Sequence, residues 1–406
     1  MIRSHLVLLA AIAVSAVSQS SIFAVLPPLA RDIGLSDIQI GAIASIAALC
    51  FVVSAPFLGG LGERHGRVPF IVIGLGAAVV TNLVYAAAIL AGLAGALGAA
   101  AVFALLLGSR IVLNISWGGM FPAAFAYVAD AATGGRRSAG AALIGAAFGT
   151  GAILGPAIAW ALTPLGSVAP FIGIAFLSLA TLGAVLVGLV DRRPAGAGTM
   201  AGAAGDDGFA DAVARLWPFL AIGLAGAMAT VMIQQLTAFR LQDQLGLDAV
   251  GATRQAGLAL TALAATTLAA QSLVVWAGGR WAPVTLMAVG AALAAAGSFA
   301  FALAGLAAVS VYWLLPLQAA ALALLGLGVG LILPSNAAAV MQATGERSQG
   351  RAAGLLNAAL GAGTMAGPVL GTMLYRLDTM LPFALAVLLF ALGFLVAFGQ
   401  RIVARA

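Results

Sequence analysis

In the stretch Gly59-Gly60-Leu61-Gly62-Glu63-Arg64-His65-Gly66-Arg67, four ionisable side chains fall within five positions, in a chain where only 7% of residues are Asp, Glu, Lys or Arg. Acid, base and glycine interleaved in this way suit ion pairing at a tight turn. A second concentration is Arg110, Asn114 and Trp117, spaced i, i+4 and i+7, so that one helix face would carry a guanidinium, an amide and an indole. Those groups can bind a ligand through a forked donor, an amide and a ring face. Covalent chemistry has little foothold. His5 and His65 are isolated, Cys50 is the one cysteine, no metal-ligand spacing occurs, and without any Lys there is no phosphate-binding loop of the Walker type. Neither an enzyme nor a cofactor or metal site is expected.

The elements that position these residues follow from composition. At 63% hydrophobic and a mean hydropathy of +1.14, the chain has more apolar surface than a water-soluble fold can bury, because ordinary domains are about half apolar and about a quarter charged. A membrane-crossing helix needs roughly 20 mainly apolar residues. Cutting the 406 residues at charged or Pro/Gly-rich breaks predicts twelve spans, near 6–29, 39–60, 68–92, 99–128, 138–162, 168–190, 216–240, 252–276, 281–305, 310–340, 350–374 and 380–399. The expected fold class is an all-α integral membrane protein. The run from Leu6 to Ala24 resembles a secretory signal, but it continues to Leu29 and further spans follow, so it is read as the first helix.

All 18 basic residues are Arg. With the N-terminus inside, Arg3, Arg64, Arg67, Arg136, Arg137, Arg192, Arg193, Arg215, Arg280, Arg347, Arg351, Arg401 and Arg405 fall on one side of the membrane, against Arg31, Arg240, Arg254 and Arg376 on the other. This is the positive-inside asymmetry, and it predicts cytoplasmic termini and no nucleic-acid partner. Arg110 alone falls inside a span, about ten residues from its outer end or roughly 15 Å at about 1.5 Å per residue, near the bilayer centre. A charge there is expensive and marks a functional site by default.

The hydrophobic pattern breaks for longest between Asp191 and Pro218, where Gly, Ala and charge take over. The expected organisation is a six-helix bundle over 1–190, a cytoplasmic linker over 191–215 and a second six-helix bundle over 216–406. The halves repeat each other. Gly135-Arg136-Arg137-Ser138-Ala139-Gly140 matches Gly345-Glu346-Arg347-Ser348-Gln349-Gly350. Gly151, Gly155 and Pro156 match Gly363, Gly367 and Pro368, and Gly118 with Pro122 matches Gly330 with Pro334, at nearly one offset. Internal repeats of this kind build many secondary transporters, with the substrate site near the midplane between them.

The opening stretch resembles the loop between helices two and three of the major facilitator superfamily, G-x-L-(small)-D-R-x-G-R-(basic), matching at Gly59, Leu61, Gly62, Arg64, Gly66 and Arg67, with Glu63 for the Asp and Val68 for the last basic residue. Arg110 looks like that family's intramembrane arginine. The segment Gly149 to Trp160 resembles the Gly-Pro motif of its drug:proton antiporter-1 branch, with Ala159 and Trp160 in place of the closing glycines, and Pro27 fits the same branch. The resemblance implies two pseudo-symmetric six-helix bundles. It also implies that Glu63 faces the start of the eleventh helix while Arg67 pairs with Asp130, a latch closing the cytoplasmic side. Helices one, four, seven and ten would line the cavity, offering Ser15, Ser18, Gln19, Arg110, Asn114, Trp117, Thr230, Gln234, Thr237 and Gln318. The binding residues expected are Gln19, Arg110, Asn114, Trp117, Gln234, Thr237 and Gln318, with the paired Gly and Pro residues packing helices.

The function this implies is alternating-access export of small amphipathic or hydrophobic organic compounds in exchange for protons, by a monomer in a bacterial-type inner membrane. The inventory of acids complicates proton exchange: all twelve lie at predicted helix ends or in loops, and Asp32 and Asp243 come closest to a span. The alternative is an organic-anion transporter or uniporter that uses Arg110 without protons. A non-transporting sensor is a remote alternative, expected to carry a cytoplasmic domain for which the tail after Gly399 is too short.

Overall fold

In lipid a segment must satisfy its own backbone hydrogen bonds, so an apolar run of spanning length has to be helical. The computed structural model of the chain follows that rule. It describes residues 2–131, 137–189, 209–304, 311–344 and 349–403, with no strand among them. Twelve α-helices follow one another: α1 (Ile2–Asp32), α2 (Asp37–His65), α3 (Val68–Leu93), α4 (Ala99–Ala131), α5 (Arg137–Leu162), α6 (Ala169–Gly188), α7 (Phe209–Leu245), α8 (Ala249–Ala277), α9 (Pro283–Ala304), α10 (Val311–Gln342), α11 (Gln349–Leu377) and α12 (Leu381–Val403). All twelve contain a stretch long and apolar enough to cross a membrane, and the chain is a multi-pass membrane protein. Large apolar side chains left exposed, such as Phe57 at 72%, Trp276 at 73% and Val187 at 90%, form the lipid-facing surface that composition demanded.

Each predicted span meets one helix. The largest displacement is at α7, expected over 216–240 and observed over Phe209–Leu245. Charge at Arg215, Arg240 and Asp243 suggested ends there, but a helix continues past the membrane edge without penalty, and Arg240 is buried at 1% exposure.

By packing, residues Met1–Ala197 and Thr237–Thr261 form one unit, and Gly198–Leu236 and Ala262–Ala406 a second. The 237–261 segment, which ends α7 and begins α8, groups with the first unit. Of the expected linker over 191–215, residues 191–208 lie outside the described residues and the rest begins α7, and the Gly135/Gly345 match lies largely outside them too. The first unit has a core of Leu8, Ile12, Leu75, Leu113, Trp117 and Val185, from α1, α3, α4 and α6. In the second, Phe301 on α9 meets Phe383 on α12 with ring centroids 5.4 Å apart.

Repeated glycines set the helix contacts within each unit. A Cβ on Gly151 would strike the Ala13 carbonyl oxygen and lie 2.7 Å from Ala16 Cβ, and one on Gly155 would lie 2.6 Å from the Val17 carbonyl oxygen, so α5 is pressed on α1. In the second unit a Cβ on Gly363 would strike the Leu224 carbonyl oxygen and one on Gly367 would lie 2.6 Å from that of Met228, which presses α11 on α7 in the same way. Gly118 meets Ser54 on α2, and its counterpart Gly330 meets Thr267 on α8. Small residues bring backbones together where lipid supplies no hydrophobic drive between helices.

Candidate substrate site

Arg110 stands eleven residues into α4, roughly 16 Å along its axis at about 1.5 Å per residue. Its side chain is 4% exposed. One Nη donates to Gln19 Oε1 on α1 at 2.5 Å, and the guanidinium carbon stands 5.7 Å from the centre of the Trp117 ring. The helical spacing read from the sequence therefore brings Arg110 and Trp117 together, and α1 brings Gln19 to them. No described carboxylate pairs with Arg110; both described ion pairs belong to Arg31.

Asn114 makes a bond within its own helix. It is 3% exposed, and its Nδ2 donates to the Arg110 carbonyl at 3.0 Å, which ties the amide to its own helix. Ser15 likewise donates to the Ala11 carbonyl and Thr230 to that of Gly226. Hydroxyls in apolar helices commonly bond the preceding turn. Thr237 is buried in the first unit, while Gln234, half-buried, and Gln318, 1% exposed, belong to the second. Arg67 is 9% exposed. The side chains of Asp130, its expected partner, and of Glu63, expected to face the start of α11, lie outside the described residues.

Two features escaped the sequence reading. The first is α3, where Asn82 donates to Ser18 Oγ on α1 at 2.9 Å and Tyr85, at 1% exposure, stands one turn from Thr81, whose hydroxyl donates to the Ser109 carbonyl beside Arg110. Thr81, Asn82 and Tyr85 cluster in an otherwise apolar run, which is the signal the sequence carries for them.

The second is built by the turn between α1 and α2. Gly34, at φ 89°, ends α1 in a conformation other residues resist. Ser36 then caps α2 in a reciprocal box with Gln39. The short turn sets Arg31 against Asp37 in a fork, Nε to Oδ1 and Nη2 to Oδ2, each 2.8 Å. Arg31 also donates to Asp243 Oδ1 on α7 at 2.7 Å and lies 4.2 Å from the Phe239 ring centre. Asp243 is thus one arm of an ion-pair cluster at a helix end. Close by in sequence, Gly257 on α8 packs 2.7 Å, as a Cβ, from the Pro156 carbonyl oxygen, and Arg254 lies over Trp160. A second Arg31–Asp243 bond is long, at 3.4 Å, and Asp243 is 41% exposed against 16% for Asp37, so the even fork on Asp37 is the stronger pair. Asp37→Asn should therefore lower the thermal unfolding midpoint in detergent more than Asp243→Asn. Both shifts should shrink near 1 M NaCl, where the screening length is about 3 Å.

Comparison with known proteins places these features. The family model described as Major Facilitator Superfamily matches residues 8–317 and 252–403. The tetracycline resistance protein, class C, of Escherichia coli is 30% identical over 176 residues, 43% of this chain and 41% of that protein. Multidrug resistance protein 2 of Bacillus subtilis (strain 168) is 27% identical over 166 residues, 41% of this chain and 38% of that protein. The chain thus spans less than half the length of these relatives. Among solved structures, a bacterial homologue of the human lysosomal transporter Spinster, in an inward-facing and occupied conformation, superposes with a TM-score of 0.72 at 14% identity, over 99% of this chain and 96% of that one.

Proposed function

Because the chain belongs to the Major Facilitator Superfamily, a family of transporters rather than enzymes, we propose that it exports small amphipathic or hydrophobic organic compounds by alternating access, in exchange for protons. The proposal includes a bacterial-type inner membrane, a monomeric protein, and cytoplasmic termini as the arginine asymmetry requires. The observation that carries it is the cluster of Arg110, Gln19 and Trp117, polar and buried at mid-depth in a first unit otherwise packed with Leu, Ile and Val. A fold does not keep an unpaired cation at such depth for stability. The relatives named for tetracycline and multidrug resistance support outward transport of organic compounds.

Proton exchange has its own test, because the acids whose side chains are described lie at helix ends or in the turns between helices, among them Asp32 at the close of α1, Asp37 at the start of α2 and Asp243 near the close of α7. In proteoliposomes carrying a pH-sensitive dye, adding tetracycline should move protons against it, and neutralising Asp32, Asp130 or Asp243 in turn should show which carboxylate takes part. Tetracycline movement without any pH change in the unmodified protein would remove antiport. A second reading, in which the substrate is an organic anion moved without protons, is favoured by the absence of a carboxylate partner for Arg110 among the described residues.

A further inference from the structure

Three buried donors on α3 and α4 have no acceptor: Arg110 Nε, Trp117 Nε1 and the Tyr85 hydroxyl. The first two stand on one face of α4, and Tyr85 follows Thr81 by one turn of α3, where the Thr81 hydroxyl donates to the Ser109 carbonyl at 3.0 Å, next to Arg110. Guanidinium and indole can only donate, so what the cluster lacks is an acceptor, and the positive charge calls for an anionic one. Its geometry is held from outside. Gln19 fixes one Nη, Phe171 meets the Tyr85 ring edge-on with centroids 5.3 Å apart, and Phe121 does the same to Trp117 at 6.1 Å.

The fold itself does not require these groups. At the offset that relates Gly151 to Gly363, the counterparts of Gln19, Tyr85, Arg110 and Trp117 are Val231, Gly297, Leu322 and Val329. There α9 and α10 simply close on each other, with a Cβ on Gly297 falling 2.8 Å from the Ala321 carbonyl oxygen and 2.9 Å from Leu325 Cα. An apolar contact thus fills in the second half the place that three unsatisfied donors occupy in the first.

We propose that Tyr85, Arg110 and Trp117 form the seat of a small monovalent anion, supplied either as the carboxylate of a transported compound or as a free halide. Arg110 gives the charge and a guanidinium N–H, Trp117 and Tyr85 each add one donor, and Gln19 positions the guanidinium. The carboxylate source rests on the second reading above, whereas the halide source does not.

The test uses the full chain in lipid nanodiscs. The unfolding midpoint is followed while sodium benzoate or sodium chloride is titrated, with sodium sulfate holding ionic strength constant. The unmodified protein should show a saturable rise. Its apparent affinity should fall roughly tenfold in Tyr85→Phe and in Trp117→Phe, each of which removes one donor to a charged acceptor, the first keeping the ring and the second an aromatic side chain of smaller size. Arg110→Gln should abolish the response and Arg110→Lys keep a weakened one. A response to benzoate alone identifies the carboxylate, and one to chloride identifies the free ion. No saturable shift with either anion, or Phe variants that respond like the unmodified protein, would overturn the seat. Benzoate uptake into proteoliposomes separates the two ideas. Uptake unaffected by Tyr85→Phe removes the seat and leaves the anion-transport reading, while saturable binding without uptake removes that reading and leaves the seat.

Discussion

Arg110→Leu should give a protein that unfolds at a higher temperature than the unmodified chain yet transports on the order of 100-fold less. The two effects have one cause. A guanidinium buried at 4% exposure with one side-chain hydrogen bond carries a desolvation penalty of several kcal/mol. Removing it leaves Gln19 without its partner, at about 1–3 kcal/mol. Relief of the charge wins, and leucine is the residue that the second half already accommodates at Leu322 with 0% exposure. Loss of the guanidinium takes from the substrate the cation of the proposed site, and a contact of 3–5 kcal/mol corresponds to at least 100-fold in affinity. Thermal unfolding in detergent and initial transport rates in proteoliposomes measure the two sides. A midpoint that falls together with transport would make Arg110 a structural cross-link between α1 and α4. A residue held against stability for the sake of activity is a familiar compromise at functional sites.

The largest loss of stability is expected from Gly151→Val and its counterpart Gly363→Val. Each Cβ would meet a backbone carbonyl of the neighbouring helix, that of Ala13 on α1 or of Leu224 on α7, with Ala16 and Ala227 close behind. A flexible side chain could turn aside, but a helix backbone cannot, so the helices must separate along their contact. Overpacking of this kind costs about 3 kcal/mol. Gly145 supplies the control on the same helix, since a Cβ there meets nothing within 4 Å. Gly145→Ala should be neutral or gain up to about 1 kcal/mol from helix propensity. Yield and unfolding midpoint for the three variants decide the matter, and a Gly151→Val protein as stable as the unmodified chain would mean that α1 and α5 are not held by this contact. Matching losses in the two halves would also show that the sequence repeat is a repeat of energetics.

The helices were legible because lipid leaves one solution to the backbone, so apolar length alone located all twelve. Their ends were less so, as α7 shows, because a charge marks the membrane edge and a helix is free to run beyond it. The face shared by Arg110 and Trp117 followed from helical spacing, which is local geometry. Asn114 fits the same spacing, and its amide also donates to the Arg110 carbonyl one turn back, a bond that spacing does not express. Asn82 could not be joined to Ser18, nor Tyr85 to the Arg110 turn, from the sequence, since only the packing of α3 on α1 and α4 brings them together. Asp243, expected as an acid close to a span, shares Arg31 with Asp37 through a contact that joins residues far apart in the chain.

The sequence by itself determined the membrane, the number of spans, the repeat and the presence of one costly cation, because these depend on transfer free energies and chain periodicity that each segment carries alone. Only the tertiary structure decided what the costly cation faces, which amides are spent on their own helices and which glycines meet a neighbouring backbone. Those are distances between groups far apart in the chain, and they exist only once the helices have packed.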